Sequence, residues 1–282
     1  MSLKKWCKNN YNKVLFVSLC VFSSIVYIQF IIGHYATDTY NIAYVGYDTY
    51  MKNWYLTDGR IFSAMFLFIM KIFNLSVENA NTISLLFAIV ITNISVMKIF
   101  NWTEKYVQIK NIKEKIILLI ICYVIFWNFT YIENMYFLES SIMALSVLFY
   151  TMSAISLVEK NKYSFLKALM FAILGIISYQ GTIGFLFILT ALLTFIKNPK
   201  NYKANIVDIV KSGLIAGMAV IVDFAIVAIV ENLIGTKQTR LSDFTRIIRL
   251  LKHKKQKLKK KKNVEKKKKK KKNKKKNKKK KK

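Results

Sequence analysis

Residues 46–60 of the sequence, GYDTYMKNWYLTDGR, place two aspartates and an arginine among four aromatic side chains. The aspartates are Asp48 and Asp58, the arginine is Arg60, and the segment lies between two hydrophobic runs. A further acid, Asp38, precedes the segment in the same polar stretch. Carboxylates accept hydrogen bonds from sugar hydroxyls, and a carboxylate within reach of an attacking hydroxyl can act as its general base.

Two interpretations of this stretch stay open. Tyrosine and tryptophan residues such as Trp54 commonly form a belt at the membrane interface, and a solvated loop also carries acids. Alternatively, the aromatic faces stack on sugar rings, and Asp58 and Arg60 bind the rest of the ligand. A guanidinium at a helix start suits phosphate, because its donor fork is joined by backbone donors and the helix dipole.

Two later segments could belong to the same cavity or could be simple turns. Glu133 and Glu139 bracket a turn between two hydrophobic runs, in the sequence YIENMYFLES. Tyr179 and Gln180 lie where two other hydrophobic runs meet without an intervening charge. A buried charge is costly in a membrane, but much less so near its surface.

Asp223 suggests a different function, because it lies near the middle of a hydrophobic run. Ionisable residues at such positions are usually interior and functional. Asp223 could serve a proton path, pair with a cation of another helix, or be a protonated structural residue. The first two possibilities keep a transporter or lipid flippase as an alternative function.

The composition predicts a membrane protein, since 54% of the 282 residues are hydrophobic. A transmembrane helix needs about 20 apolar residues, and lipid permits only helices here. We therefore expect an all-α polytopic bundle of seven or eight hydrophobic helices within residues 1–250. The candidate runs are Val14–Gly33, Ile61–Phe73, Ile83–Phe100, Ile116–Ile132, Phe137–Val158, Leu166–Tyr179, Ile183–Ile196 and Leu214–Ile234.

Basic residues predict the orientation in the plasma membrane. The lysines before Val14 indicate a retained signal anchor with a cytoplasmic N-terminus. The basic loop Lys105–Lys115 should also be cytoplasmic, which requires an even number of crossings before it, whereas three runs precede it. Either Ile61–Phe73 does not fully cross, or this loop lies outside.

Residues 251–282 are almost entirely Lys and Asn, and they hold 23 of the 46 basic residues. Such a segment cannot bury apolar area, so we expect it to be disordered. It is either a polybasic arm for anionic lipid or the product of an A-rich tract read after a frame change. In the second case the natural protein continues differently after Arg249, and this chain is an inactive fragment.

No motif indicates a cofactor, a metal or nucleic acid. The three cysteines, Cys7, Cys20 and Cys122, are scattered without ligand spacing. The sequence has no Walker loop, no HExxH and no GxSxG. We therefore expect no metal and no cofactor, with membrane lipid as a partner.

A resemblance to a known family rests on three stretches: DGRIFSAMF, YIENMYFLESSIMALSVLFY and ISYQGTIGFLF. Together with the anchor and the acidic loop, they resemble the Gtr-type membrane glucosyltransferases of the GT-C class. The similarity covers about residues 10–245. Members of that family usually exceed this chain in length, so the resemblance also implies a C-terminal truncation.

The resemblance implies an activity and a set of site residues. It implies transfer of a hexosyl group, expected to be glucosyl, from a polyprenyl-phosphate sugar to a cell-surface polysaccharide outside the cytoplasm. The catalytic acid of the first outer loop would be Asp48, with Asp38 as second choice, and Arg60 matches the family's Gly-Arg. Four pocket residues of lower rank are implied as well: Glu133, Glu139, Tyr179 and Gln180.

Overall fold

A computed structural model describes residues 11–33, 35–109 and 111–234, and these residues form α-helices and short helical turns without any β-strand. The expected all-α fold is confirmed. The helices are α1 (Tyr11–Val26), α2 (Ile28–Gly33), α3 (Thr37–Val45), α4 (Tyr47–Tyr50), α5 (Ile61–Ile72), α6 (Val77–Glu104), α7 (Ile112–Phe126), α8 (Phe129–Ile132), α9 (Ser140–Glu159), α10 (Ser164–Ser178), α11 (Gly184–Lys197) and α12 (Tyr202–Ile234).

Four helical segments of the described residues are long and apolar enough to cross a membrane. They are Val77–Glu104, Ser140–Glu159, Gln180–Lys197 and Tyr202–Val230. A fifth span is formed if Tyr11–Val26 and Ile28–Val45 count as one segment, although the two are bent by 55°. The chain is therefore a helical membrane protein. The predicted tail, residues 251–282, lies outside the described residues.

The number of spans is smaller than the seven or eight predicted. Helix α5 has 12 residues and α10 has 15. At 1.5 Å per residue these helices are about 18 Å and 22 Å long, which is short of the roughly 30 Å of hydrocarbon. The prediction counted each hydrophobic run as a crossing, whereas the runs Ile61–Phe73 and Leu166–Tyr179 are themselves too short to cross.

Helix α9 lies at the centre of the bundle and packs against α6, α10 and α11. Small residues allow the close approach of α10, since a Cβ atom on Gly175 would lie 2.8 Å from the ring of Tyr150. Ser153 of α9 donates a hydrogen bond of 2.7 Å to the carbonyl oxygen of Ala168. Small residues and interhelical hydrogen bonds are the usual means of joining helices in lipid.

Asn93 of α6 joins α1 to the end of α7 through a buried polar network. Its amide nitrogen donates to the hydroxyl of Ser23 on α1 at 3.1 Å. Its amide oxygen accepts from the indole nitrogen of Trp127, just after α7, at 3.2 Å. Asn93 is fully buried, so these bonds replace the hydrogen bonds to water that its amide loses on burial.

We predict that Asn93→Ala lowers the free energy of unfolding by about 1–2 kcal/mol, because it removes both interhelical bonds. The measurement is thermal unfolding in detergent, followed by circular dichroism. Asn79→Ala on the exposed side of the same helix is the matched control and should leave the melting temperature unchanged. Equal effects of the two substitutions would contradict a stabilising role of the network.

Candidate functional site

The loop before α5, residues 46–60, contains a π-helical turn that brings part of it into the protein interior. Helix α4 continues into a π-helical turn, Met51–Tyr55, which leads to Arg60 at the N-cap of α5. The wider π-turn directs Tyr55 into the protein, where its side chain is 1% exposed, while the neighbouring Trp54 is 44% exposed. Trp54 stacks on the ring of Tyr50 at 4.8 Å. The loop thus has one buried and one exposed aromatic face.

Glu139 is the centre of the site, because it is fully buried immediately before α9. Its Oε1 atom lies 3.2 Å from the Nη1 atom of Arg60, which donates the hydrogen bond. Its Oε2 atom accepts a short hydrogen bond from the hydroxyl of Tyr55. Two residues of the loop therefore converge on one carboxylate that lies about 80 residues away in the sequence.

Burial and the mutual charges together shift the pKa values of these three residues. Burial raises the pKa of Glu139, although the Tyr55 hydrogen bond and the Arg60 charge act against it. Burial, and then the Glu139 charge, raise the pKa of Tyr55 well above its usual value. Burial lowers the pKa of Arg60, but the Glu139 and Asp58 carboxylates outweigh this effect and raise it overall. Tyr55 therefore stays a hydrogen-bond donor, and Arg60 stays a cation.

Arg60 has two further contacts and one donor atom without a partner in the part of the chain that the structure describes. Its Nη2 atom lies 3.9 Å from the Oδ2 atom of Asp58. Its guanidinium carbon lies 5.0 Å from the centre of the Tyr179 ring, a cation–π distance. Its buried Nε atom has no hydrogen-bond partner among the described residues. A buried donor without a partner is uncommon in proteins and marks a position where a ligand oxygen could bind.

Gln180 connects the loop to the last described helix. Its Nε2 atom donates to the backbone oxygen of Asp58 at 2.8 Å and lies 3.3 Å from the Oδ1 atom of Asp223 on α12. Gly59 has a φ of +75°, and a Cβ atom on it would lie 2.7 Å from Val227 and 3.0 Å from Asp223. Asp223 therefore adjoins the same site and is not an isolated acid of the membrane interior.

Asp38 and Glu133 line a cleft of about 430 Å³. The backbone nitrogen of Ala36 donates to the carbonyl oxygen of Tyr136 at 2.8 Å, which holds the two segments together. Burial, followed by the charges of Asp38 and Glu139, raises the pKa of Tyr50. Asp38 is therefore electrostatically coupled to the buried side of the loop.

Asp48 lies apart from these groups. Its carboxylate is about half exposed, and its Oδ2 atom lies 2.5 Å from the ammonium nitrogen of Lys71 near the end of α5. An exposed pair of this kind contributes little to stability. The role expected of Asp48 from the resemblance stays a prediction.

A cavity of about 560 Å³ adjoins Tyr179 on the side of α7 and α11. Its walls are mostly apolar, and they include Val124, Ile125, Phe185 and Ile188. The amide side chains of two asparagines add polar groups, and these are Asn128 and Asn134. Tyr179 thus forms part of the cavity wall and also contacts the Arg60 guanidinium.

The fold brings together five of the residues singled out in the sequence: Asp58, Arg60, Glu139, Tyr179 and Gln180. Sequence reasoning assigned no individual role to Tyr55, because nothing distinguishes it from the neighbouring tyrosines before the π-turn is known. It also treated Asp223 as a separate feature. No cluster of three or more metal-ligating side chains occurs among the described residues.

These features define a class of protein: a helical membrane protein with an acidic and aromatic pocket at the ends of its helices. The model of the family Glucosyl transferase GtrII matches residues 27–274, so the chain belongs to that family. No curated protein and no solved structure matches the chain. Membership implies a sugar donor and an acceptor, and it confirms the resemblance to Gtr-type glucosyltransferases.

We predict that Gly59→Ala lowers the free energy of unfolding by about 2–3 kcal/mol. The substitution places a residue with a Cβ atom in the left-handed backbone region, and this Cβ atom clashes with Val227. The measurement is thermal unfolding in detergent. The double variant Gly59→Ala, Val227→Ala should recover part of the loss, since the clashing methyl group is gone. Gly217→Ala on α12 is the control, as a Cβ atom there meets nothing within 4 Å. A wild-type melting temperature for Gly59→Ala would refute the close contact.

The buried pair also predicts a pH dependence of stability. The folded state binds the Glu139 proton more tightly than the unfolded state, because burial raises the carboxyl pKa above 4.5. The stability contributed by this group is therefore largest at low pH and falls as the pH rises through the folded pKa. Arg60→Met removes a group that lowers this pKa, so we expect the fall to continue to higher pH, with a loss of about 3 kcal/mol at neutral pH.

The control for this experiment is Glu139→Gln, which removes the titrating group. The double variant Arg60→Met, Glu139→Gln should recover most of the stability at neutral pH, because no unpaired charge is then buried. Melting temperatures in detergent between about pH 5 and pH 8 provide the measurement. If Arg60→Met leaves the dependence of the melting temperature on pH unchanged, the ion pair between Arg60 and Glu139 is contradicted.

Proposed function

We propose that this chain transfers a glucosyl group from a polyprenyl-phosphate sugar to a hydroxyl of a cell-surface polysaccharide, on the non-cytoplasmic side of the membrane. The bond between the sugar C1 and the phosphate oxygen breaks, and its electron pair leaves with the lipid phosphate. The acceptor oxygen forms the new bond to C1 and gives its proton to a carboxylate. Membership of the glucosyltransferase family supports the sugar, and the membrane helices support a lipid-linked donor.

The observation that carries the proposal is the environment of Arg60. This cation is held in place by Glu139 and Tyr179, while its buried Nε atom has no partner among the described residues. A fixed guanidinium with a free donor suits the oxygen atoms of a phosphate. In the reaction, Arg60 stabilises the negative charge that develops on the leaving phosphate.

The cavity beside Tyr179 has the position and the lining required for the lipid part of the donor. It is mostly apolar, and Tyr179 is common to this cavity and to the Arg60 contact. An isoprenoid chain in the cavity would present its phosphate near Arg60. The sugar ring would then reach the aromatic side chains of the loop, whose exposed member is Trp54.

Two aspartates are candidates for the general base. The family resemblance favours Asp48, but this carboxylate is exposed and already pairs with Lys71. The geometry favours Asp38, which lines the cleft with Glu133 and acts electrostatically on Tyr50 and Glu139. Glu139 itself is unsuited to this role, because Arg60 and Tyr55 occupy its oxygen atoms. We propose Asp38 as the base.

The test is transfer of radiolabelled glucose from synthetic polyprenyl-phosphate glucose to polysaccharide of the host cells, using membranes that contain the full chain. We expect Asp38→Asn to lower the rate by about 100-fold or more, because a general base contributes at least that factor. Arg60→Gln should lower it by a similar factor through loss of charge stabilisation.

Asp48→Asn is the matched control, and it should retain the rate within about twofold, since an exposed ion pair is of little consequence. If Asp48→Asn abolishes transfer and Asp38→Asn does not, Asp48 is the base. If Arg60→Gln leaves transfer unchanged at equal expression, the proposed phosphate site is wrong. Mass analysis of surface glycans with and without the gene identifies the product.

A further inference from the structure

A second cavity, of about 600 Å³, lies between α1 and α6. Its walls come from the first two turns of α1 and from residues 90–101 of α6. We call it the α1–α6 groove, and its lining residues are Asn12, Lys13, Phe16, Val17, Val90, Ile94, Met97, Lys98 and Asn101.

The polar and apolar residues of this groove are separated along its length. The two lysines and two asparagines come from the start of α1 and the last two turns of α6, so they lie at one end. The remaining five lining residues are apolar and continue along the two helices towards the other end. The groove therefore has a cationic, hydrogen-bonding end and a hydrocarbon-like end.

The charge of the polar end is uncompensated by the protein. Neither Lys13 nor Lys98 forms an ion pair with another described residue, and no acid is among the described residues that line the groove. Both lysine side chains are exposed. Two ammonium groups from different helices line this groove, and their positive charges repel each other. An anionic occupant between them is therefore favoured.

We propose that the α1–α6 groove binds one anionic glycerophospholipid. Its phosphate lies between Lys13 and Lys98, and the amides of Asn12 and Asn101 donate to headgroup oxygens. One acyl chain follows the apolar wall, which includes Ile94. Basic pockets between membrane helices are recognised sites for anionic headgroups, and each Lys near the surface contributes appreciably. A soluble phosphate would leave the apolar wall empty.

The groove is separate from the Arg60 site. Ser84 of α6 hydrogen-bonds to Ser140 and Ser141, which directly follow Glu139. Lys98 lies 14 residues further along the same helix, which is about 21 Å at 1.5 Å per residue. The lipid would therefore bind at the other end of α6, and the proposal is independent of glucosyl transfer.

The test is native mass spectrometry of the purified full chain in detergent with added phosphatidylglycerol. Phosphatidylcholine of the same acyl chains is the comparison lipid. We expect preferential retention of phosphatidylglycerol. Lys13→Gln and Lys98→Gln should each weaken binding about fivefold, and the double variant about 25-fold. Ile94→Trp, which fills the apolar part of the groove, should weaken the binding of both lipids.

Lys105→Gln is the matched control, because it removes the same charge just beyond the end of α6 but outside the groove. It should leave retention within about twofold of the wild-type value. Equal retention of the two lipids, or equal loss in Lys105→Gln and Lys98→Gln, would overturn the proposal. Displacement of phosphatidylglycerol by inorganic phosphate or farnesyl phosphate at the same concentration would also overturn it. Circular dichroism checks that each variant is folded.

Discussion

The ion pair between Arg60 and Glu139 is the constraint on which the candidate site depends. A carboxylate that is fully buried at the start of α9 is unfavourable unless a cation and hydrogen-bond donors compensate for the lost water. The loop before α5 supplies both groups, from Arg60 and from Tyr55. The need to satisfy Glu139 therefore acts together with the buried rings of Tyr50 and Tyr55 to hold the loop against the bundle.

Once the loop is held there, the ends of several distant segments meet. The guanidinium of Arg60 faces Tyr179, Gln180 bonds to the loop backbone, and Asp223 contacts Gln180. Each of these residues is polar or aromatic and lies at or near a helix end or beside the loop. Apart from Asp223, which lies within α12, the pocket is thus made by the loop and by termini of helices, where polar groups can be exposed to a ligand without entering lipid.

The helical membrane fold could be predicted from the sequence, because lipid leaves few alternatives for long hydrophobic runs. The number of spans could not, since hydrophobicity does not show where a run such as Ile116–Ile132 stops being helical, and its helix ends at Phe126. Glu133 and Glu139 looked equivalent in the sequence, yet a short helical turn at Glu133–Tyr136 leaves the first exposed and the second buried. The contact of Gln180 with Asp223 depends on tertiary packing, which no local pattern encodes.

The short helices α5 and α10 pack against each other next to the loop that carries Arg60. Lipid around helices of about 18 Å and 22 Å must compress to match them, because exposed apolar surface and exposed backbone are both unfavourable. We expect the bilayer to be locally thin on this flank of the protein. For the proposed lipid-linked donor, a depressed headgroup plane would carry the phosphate inward and shorten its path to the pocket.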